Sequence, residues 1–144
     1  MFSILIPTFN YDITTLVENL SQQLENSKLH YELIVCDDCS TNQNIIKINK
    51  QINSLPNCKF IQNSTNLGRT ATRQKLAKTA QYDLLLFMDA DVEVSKEYID
   101  KFNIENQTAD IIFGGTAYLE EKPKKIEVLN WKYGRKREVK SIKD

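Results

Sequence analysis

The chain has 144 residues, 41% of them apolar and 26% charged, with 19 basic against 19 acidic side chains. That length holds one ordinary domain with its own core, and no apolar run approaches the ~18 residues of a membrane span. The zero net charge is unevenly spread: residues 1–121 carry 10 Lys or Arg against 16 Asp or Glu, and residues 122–144 carry nine against three. A basic end of this kind suits nucleic acid or an anionic surface, but it equally suits a solvated segment, and we expect no nucleic acid partner.

In chain order, MFSILIPTF lacks a basic leader region and a cleavage site, so it reads as a first strand rather than a signal peptide. The cytoplasm is the expected compartment. Ile13, Leu16, Val17, Leu20 and Leu24 recur at helical spacing and mark one buried face. YELIVC is a second strand. Ser40 or Thr41 is the expected cap of a helix whose apolar face is Ile45, Ile48, Ile52 and Leu55. CKFIQ is a short third strand. NLGRTATRQKLAKTAQ is a helix opened by a glycine turn, with Ala71, Ala77 and Ala80 as small packing residues. YDLLLFM is a fourth strand with a buried look, Ser95 the expected cap of a helix through Phe102, and DIIFGGTAY a fifth strand. Such alternation predicts a three-layer α/β/α fold around a mostly parallel sheet.

Three cysteines, Cys36, Cys39 and Cys58, do not make a disulfide framework. CDDC has redox spacing, but two aspartates between the thiols raise their pKa and work against that role. A structural zinc site lacks ligands nearby. His30 is the one histidine, which leaves little for histidine-based catalysis. Neither GxGxxG after the first strand nor GxxxxGK[ST] occurs, so the dinucleotide fingerprint and the P-loop are both absent.

In a parallel sheet of this kind, ligands bind beyond the carboxyl ends of the strands. Those ends carry Pro7 to Asn10, Asp37 and Asp38, Asn63 to Arg69, and Asp89 and Asp91. Arg69 and Arg73 lie one turn apart on the following helix. Asp89 and Asp91 repel each other when both are ionised. A hard divalent cation, Mg2+ or Mn2+, removes that penalty, needing one or two protein carboxylates with phosphate and water completing its shell. The plainer reading is a strand end that caps the next helix. An aspartate at the end of the second strand suits a nucleoside, accepting from a base N–H or a ribose hydroxyl; the plainer reading there is an acidic turn before a helix cap. Asn66-Leu67-Gly68 supplies turn geometry.

SILIPTFN, ELIVCDDCS, NLGRTATRQ and LLLFMDADV, in that order, resemble the nucleotide-sugar-binding portion of family 2 glycosyltransferases of GT-A fold. The resemblance covers residues 2 to about 120, and it implies a core at 1–121 with 122–144 as the start of an acceptor-binding half. It implies that Pro7, Thr8 and Asn10 edge the nucleotide pocket. Asp38 would meet the base with Asp37 beside it, and Asn66, Gly68, Arg69 and Arg73 would lie near the nucleotide and diphosphate. Asp89 would contact the ribose or metal region, Asp91 would be the main metal ligand, and Gly114 and Gly115 would run under the donor sugar. The implied activity is inverting transfer from a nucleotide-diphospho-sugar to an acceptor hydroxyl, with a UDP-sugar favoured over GDP or dTDP donors. The acceptor would be a saccharide or lipid, with a peripheral membrane location open for a longer protein.

The chain departs from the family pattern where catalysis needs a base. Glu120 and Glu121 precede a lysine-rich stretch instead of the usual acidic pair near a helix start, and no QxxRW follows. A donor-binding module without the base is therefore the alternative function. A sugar-phosphate nucleotidyltransferase would want a glycine-rich basic loop after the first strand, where PTFNYDITT stands. A receiver domain would want an aspartate ending its third strand and a lysine ending its fifth.

Overall fold

The computed structural model describes residues 1–101 together with 110, 111, 114, 131 and 132. The chain divides into two compact units, Met1–Glu105 and Asn106–Asp144. The expected fifth strand, Phe102, Gly115, Glu120, Glu121 and nearly all of segment 122–144 lie outside the described residues; Gly114 belongs to the second unit.

In the first unit, strands β1 (Phe2–Thr8), β2 (Tyr31–Asp37), β3 (Cys58–Gln62) and β4 (Leu85–Phe87) form one sheet in the order β3-β2-β1-β4. Every neighbouring pair is parallel, and β1 runs residue for residue against β2, from Phe2↔Tyr31 to Thr8↔Asp37. The sheet is covered by α1 (Thr14–Asn26), α2 (Gln43–Asn49) and α3 (Arg69–Thr79), with a short α4 (Tyr98–Lys101) after β4. β1 and β2 are buried almost throughout, as continuously apolar central strands should be.

The core follows the sequence pattern closely on α1. Ile13, Leu16, Val17, Leu20 and Leu24 are all buried against β1 and β2 side chains. Each such side chain contributes about 1.5–3 kcal/mol on leaving water. On the other face of the sheet, Leu76 of α3 packs with Leu5, Ile34 and Cys36. Of the expected small packing residues, Ala80 packs against this cluster and Ala71 is exposed, while Thr72 and Leu76 are the buried residues of α3.

Four local expectations shift. The cap of α2 is Asn42, whose side chain accepts from the N–H groups of Asn44 and Ile45, so neither Ser40 nor Thr41 caps it. The inward face of α2 then runs through Ile46 and Asn49, and Ile52 follows it inward from a 3-10 helix over Lys50–Ser54, leaving Ile48 exposed. Asn49 explains the rotation: its Oδ1 accepts from Ile13 N–H at 3.2 Å and its Nδ2 donates to Tyr11 O at 2.9 Å, satisfying a fully buried amide. β4 is three residues long, and Leu84 and Phe87 are each 41% exposed. Among the described strands it pairs with β1 alone, so it forms the edge of this sheet. α4 begins at Tyr98, three residues beyond the expected Ser95 cap, whose carbonyl accepts from Tyr98 N–H.

Candidate functional site

The strand order reverses at β1. The chain moves outward through β2 and β3, then returns to lay β4 on the opposite side. A crevice opens beyond the carboxyl ends of strands at such a switch point. Here it is a cavity of about 430 Å3. Pro7, Thr8 and Phe9 enter it from the end of β1, and Asp38 from the end of β2. Asn66 and Gly68 come from the loop before α3, Arg69, Thr72 and Arg73 from its first turns, and Asp89, Ala90 and Asp91 from the segment after β4. Nine of the expected site residues thus share one cavity.

Gly68 shapes the entry to α3. Its φ is +80°, a region that favours glycine, and no side chain caps the helix behind it. The first-turn N–H groups of α3 therefore open beside the cavity with the two guanidinium side chains, which suits an anion.

Asp38 is the most constrained group in the site. Its Oδ1 accepts from Leu67 N–H and Asn63 Nδ2, each at 2.8 Å, and its Oδ2 accepts from Gly68 N–H at 2.8 Å. Burial pushes the carboxyl pKa upward, but hydrogen bonds from Leu67 N–H, Asn63, Thr72 and Gly68 N–H together outweigh it and hold it below the usual range. Asn66 Nδ2 adds a bond to the Asp38 carbonyl at 3.1 Å. The acidic turn thus organises the loop that carries Gly68 and α3.

Two expected site residues point elsewhere. Asp37 is fully buried and outside the cavity lining. It accepts from Ser40 N–H at 3.0 Å, from the Ser40 hydroxyl, and from Gln62 Nε2 at 2.9 Å. Asn10, at φ +51°, clips the loops after β1 and β2 together. Its N–H donates to Ser40 Oγ at 2.7 Å, and its Oδ1 accepts from Thr41 N–H at 2.9 Å and Asn42 N–H at 3.0 Å. Both residues hold the rim in shape and do not line the cavity.

The repulsion between Asp89 and Asp91 has a partial answer in the fold. Arg73 forms an ion pair and hydrogen bond with Asp89 Oδ1. Asp91 is exposed, and among the described residues no ion pair holds it. No group of three or more carboxylate, thiol or imidazole ligands gathers among the described residues. This donor set does not make a closed protein cage. Two hard carboxylates one residue apart at the mouth of an open cavity do fit a cation that takes one or two protein oxygens and completes its shell elsewhere.

Tyr11 and Thr72 line the cavity without having been singled out by sequence. Tyr11 lies past the strand end, where its carbonyl accepts from Thr8 Oγ1 at 3.3 Å and from Asn49. No spacing signal marks it. Thr72 sits one turn into α3 on the buried side, and a polar residue at a core-facing helical position was the available clue. The CDDC thiols Cys36 and Cys39 are both free, as is Cys58, and burial pushes Cys36 up to about 11. His30 precedes β2 and so lies at the end of the sheet away from the cavity.

The sequence profile described as "Glycosyl transferase family 2" matches residues 3–142. Poly(ribitol-phosphate) beta-N-acetylglucosaminyltransferase TarS of Staphylococcus aureus is 37% identical over 99 residues, covering 67% of this chain and 17% of TarS. A crystal structure of S. aureus TarS in complex with UDP superposes with a TM-score of 0.57 at 36% identity, over 69% of this chain and 30% of that one. A mannosyltransferase from Pyrobaculum calidifontis, solved with GDP-Man and Mn2+, matches with a TM-score of 0.51 at 16% identity, over 67% and 29%, a likeness of fold. The chain thus spans under a fifth of TarS. The family match over almost the whole chain, with the alternating parallel architecture, makes this protein a member of glycosyl transferase family 2 with a GT-A fold, partial in extent relative to its longer relatives.

Proposed function

We propose that the cavity binds the nucleoside diphosphate of a sugar donor, with a UDP-sugar favoured, for transfer of the sugar to an acceptor hydroxyl. The observation that carries this reading is the meeting of opposite charges at one switch-point crevice: Arg69 and Arg73 face Asp38, Asp89 and Asp91 across it. The guanidinium groups and the α3 N-terminus suit a diphosphate. Asp38 suits a base N–H. The likeness to TarS, solved with UDP, supports uridine.

Asp91, with Asp89, would hold Mg2+ or Mn2+. When bound, such a cation supplies Lewis-acid stabilisation of negative charge on the diphosphate. Arg73 would share that task, since its guanidinium already lies against Asp89. Asp38 would orient the nucleoside, and Gly68 lets the backbone approach closely. Transfer also needs a base for the acceptor proton. No described residue at the cavity is suited to that role beyond the carboxylates already assigned, and Glu120 and Glu121 fall outside the described residues. Donor binding is therefore the part of the reaction assigned to these residues, and a binding module without the base is the second reading. The acceptor-binding half at 122–144 and beyond belongs to the same proposal.

Calorimetric titration with UDP, GDP, dTDP and CDP, with and without Mn2+, tests it. Binding that requires Mn2+ and is lost in Asp91→Ala is the expected outcome; unchanged binding in that variant removes the metal role. Turnover of a UDP-sugar by the chain separates the enzyme from the module.

A further inference from the structure

Behind Asp38 lies a second layer of polar groups that the donor reading does not use. Asn63 is 4% exposed, and its amide is saturated on all sides. Nδ2 donates to Asp38 Oδ1 at 2.8 Å and to Thr72 Oγ1 at 3.2 Å. Oδ1 accepts from Lys75 Nζ at 2.6 Å and from the Cys36 thiol at 3.6 Å. The thiol stays protonated at neutral pH, because burial pushes it up to about 11, so it can only donate to that oxygen.

An ammonium group donates and never accepts. Lys75 therefore dictates which way the Asn63 amide faces: its oxygen toward Lys75, its NH2 toward Asp38. With that NH2, the Thr72 hydroxyl and the N–H groups of Leu67 and Gly68 all directed at it, Asp38 is a carboxylate that meets the cavity as an acceptor. Such a group reads the edge of a nucleobase by one rule. It pairs with a ring N–H and repels a bare ring nitrogen.

Resting on the donor-binding reading above, we infer that Lys75, acting through Asn63, is a positioning residue that keeps Asp38 acceptor-only and so sets the base class of the donor. Uracil, thymine and guanine present the required ring N–H; cytosine and adenine present a lone pair. Without Lys75, the Asn63 amide is released to turn over. Its oxygen then faces the Asp38 carboxylate, repels it and disturbs the hold that Asp38 keeps on a ring N–H.

The test is titration of the full chain with UDP and CDP in the presence of Mn2+. Wild type is expected to prefer UDP by about tenfold or more, the size of one lost buried hydrogen bond. Lys75→Met is expected to narrow that preference to about threefold or less by weakening UDP while leaving CDP little changed. Lys75→Arg, which keeps a donor, restores the preference, and Lys78→Met, on the exposed side of the same helix, leaves it unchanged. A loss of packing alone would weaken both ligands together. Asn63→Ser removes the amide and carries the same expectation should Lys75→Met fold poorly. A Lys75→Met protein that keeps the wild-type UDP:CDP ratio overturns the inference. Equal binding of UDP and CDP by wild type overturns it too, while leaving donor binding intact. Wild type that binds no nucleoside diphosphate overturns the donor reading and this inference with it.

Discussion

Two acidic pairs end two strands of the same sheet, and the fold treats them in opposite ways. At the end of β2, Asp37 and Asp38 are 0% and 6% exposed, and every carboxylate oxygen has a donor from the chain itself. At the end of β4, the Asp89 side chain is 55% exposed with one partner, and Asp91 has no ion-pair partner among the described residues. The first pair is held by the chain on folding, Asp37 away from the cavity and Asp38 at its wall. The second is left to be completed by something else. Asp37, satisfied internally and outside the cavity lining, belongs to stability and shape, whereas Asp38, Asp89 and Asp91 line the cavity and can meet a ligand.

The sharpest way to break this contrast is Asp38→Ala. It strips the acceptor from the N–H groups of Leu67 and Gly68, and urea unfolding should show a loss of about 2–4 kcal/mol, together with loss of nucleotide binding. A neutral result would show the β2 pair to be no more structural than the β4 pair. The same residue predicts a pH signature. Its folded pKa is lowered, so its stabilising contribution is complete above the unfolded value near 4 and is lost as pH falls through the lower folded value. Asp38→Asn should flatten the stability–pH curve in that acid window, read by denaturant midpoints from pH 5 downward. Gly68→Ala should cost about 1–2 kcal/mol through its positive φ alone. An added Cβ meets nothing within 4 Å, so the variant should still fold and crystallise with the loop in place. Asp91→Ala should change stability by no more than about 0.5 kcal/mol, checked by thermal melting, while abolishing Mn2+-dependent nucleotide affinity. Arg73→Ala should likewise shift stability by only about 0–1 kcal/mol, because its pair with Asp89 is solvent-screened. Its effect should appear in diphosphate affinity instead.

Much of the architecture is legible in the chain because burial leaves a periodic mark. The apolar residues of α1 and the unbroken apolar runs of β1 and β2 can satisfy only a helix face and central strands. The exceptions are polar. The face of α2 is misread by one position because its anchor is Asn49, a buried amide that no hydrophobic pattern records. β4 is shorter and more exposed than four consecutive apolar residues suggest, since the described sheet covers it on one edge. Residue type and strand-end position pick out Asp38, Arg69, Arg73, Asp89 and Asp91, which the fold brings to one cavity. They fail to separate Asp37 and Asn10, because which of two adjacent polar side chains turns inward depends on partners up to 32 residues away. Asn63 and Lys75 are invisible for the same reason: their roles are in whom they contact.

The pairing of β1 with β4 also has a kinetic side. β3, β2 and β1 can align from the first 62 residues alone, as successive neighbours. β4 must return to β1, pairing Ser3 with Leu85 across roughly 80 residues of chain, a closure that forms late and slowly. The cavity lies at that junction, so it comes into being only with the last strand of the described sheet. A chain stalled before β4 docks would have a half-built sheet with β1 as a bare apolar edge and no site for a nucleotide. Ligand present during refolding should therefore leave the early steps untouched and act on the final one, slowing the escape of β4 once it has joined.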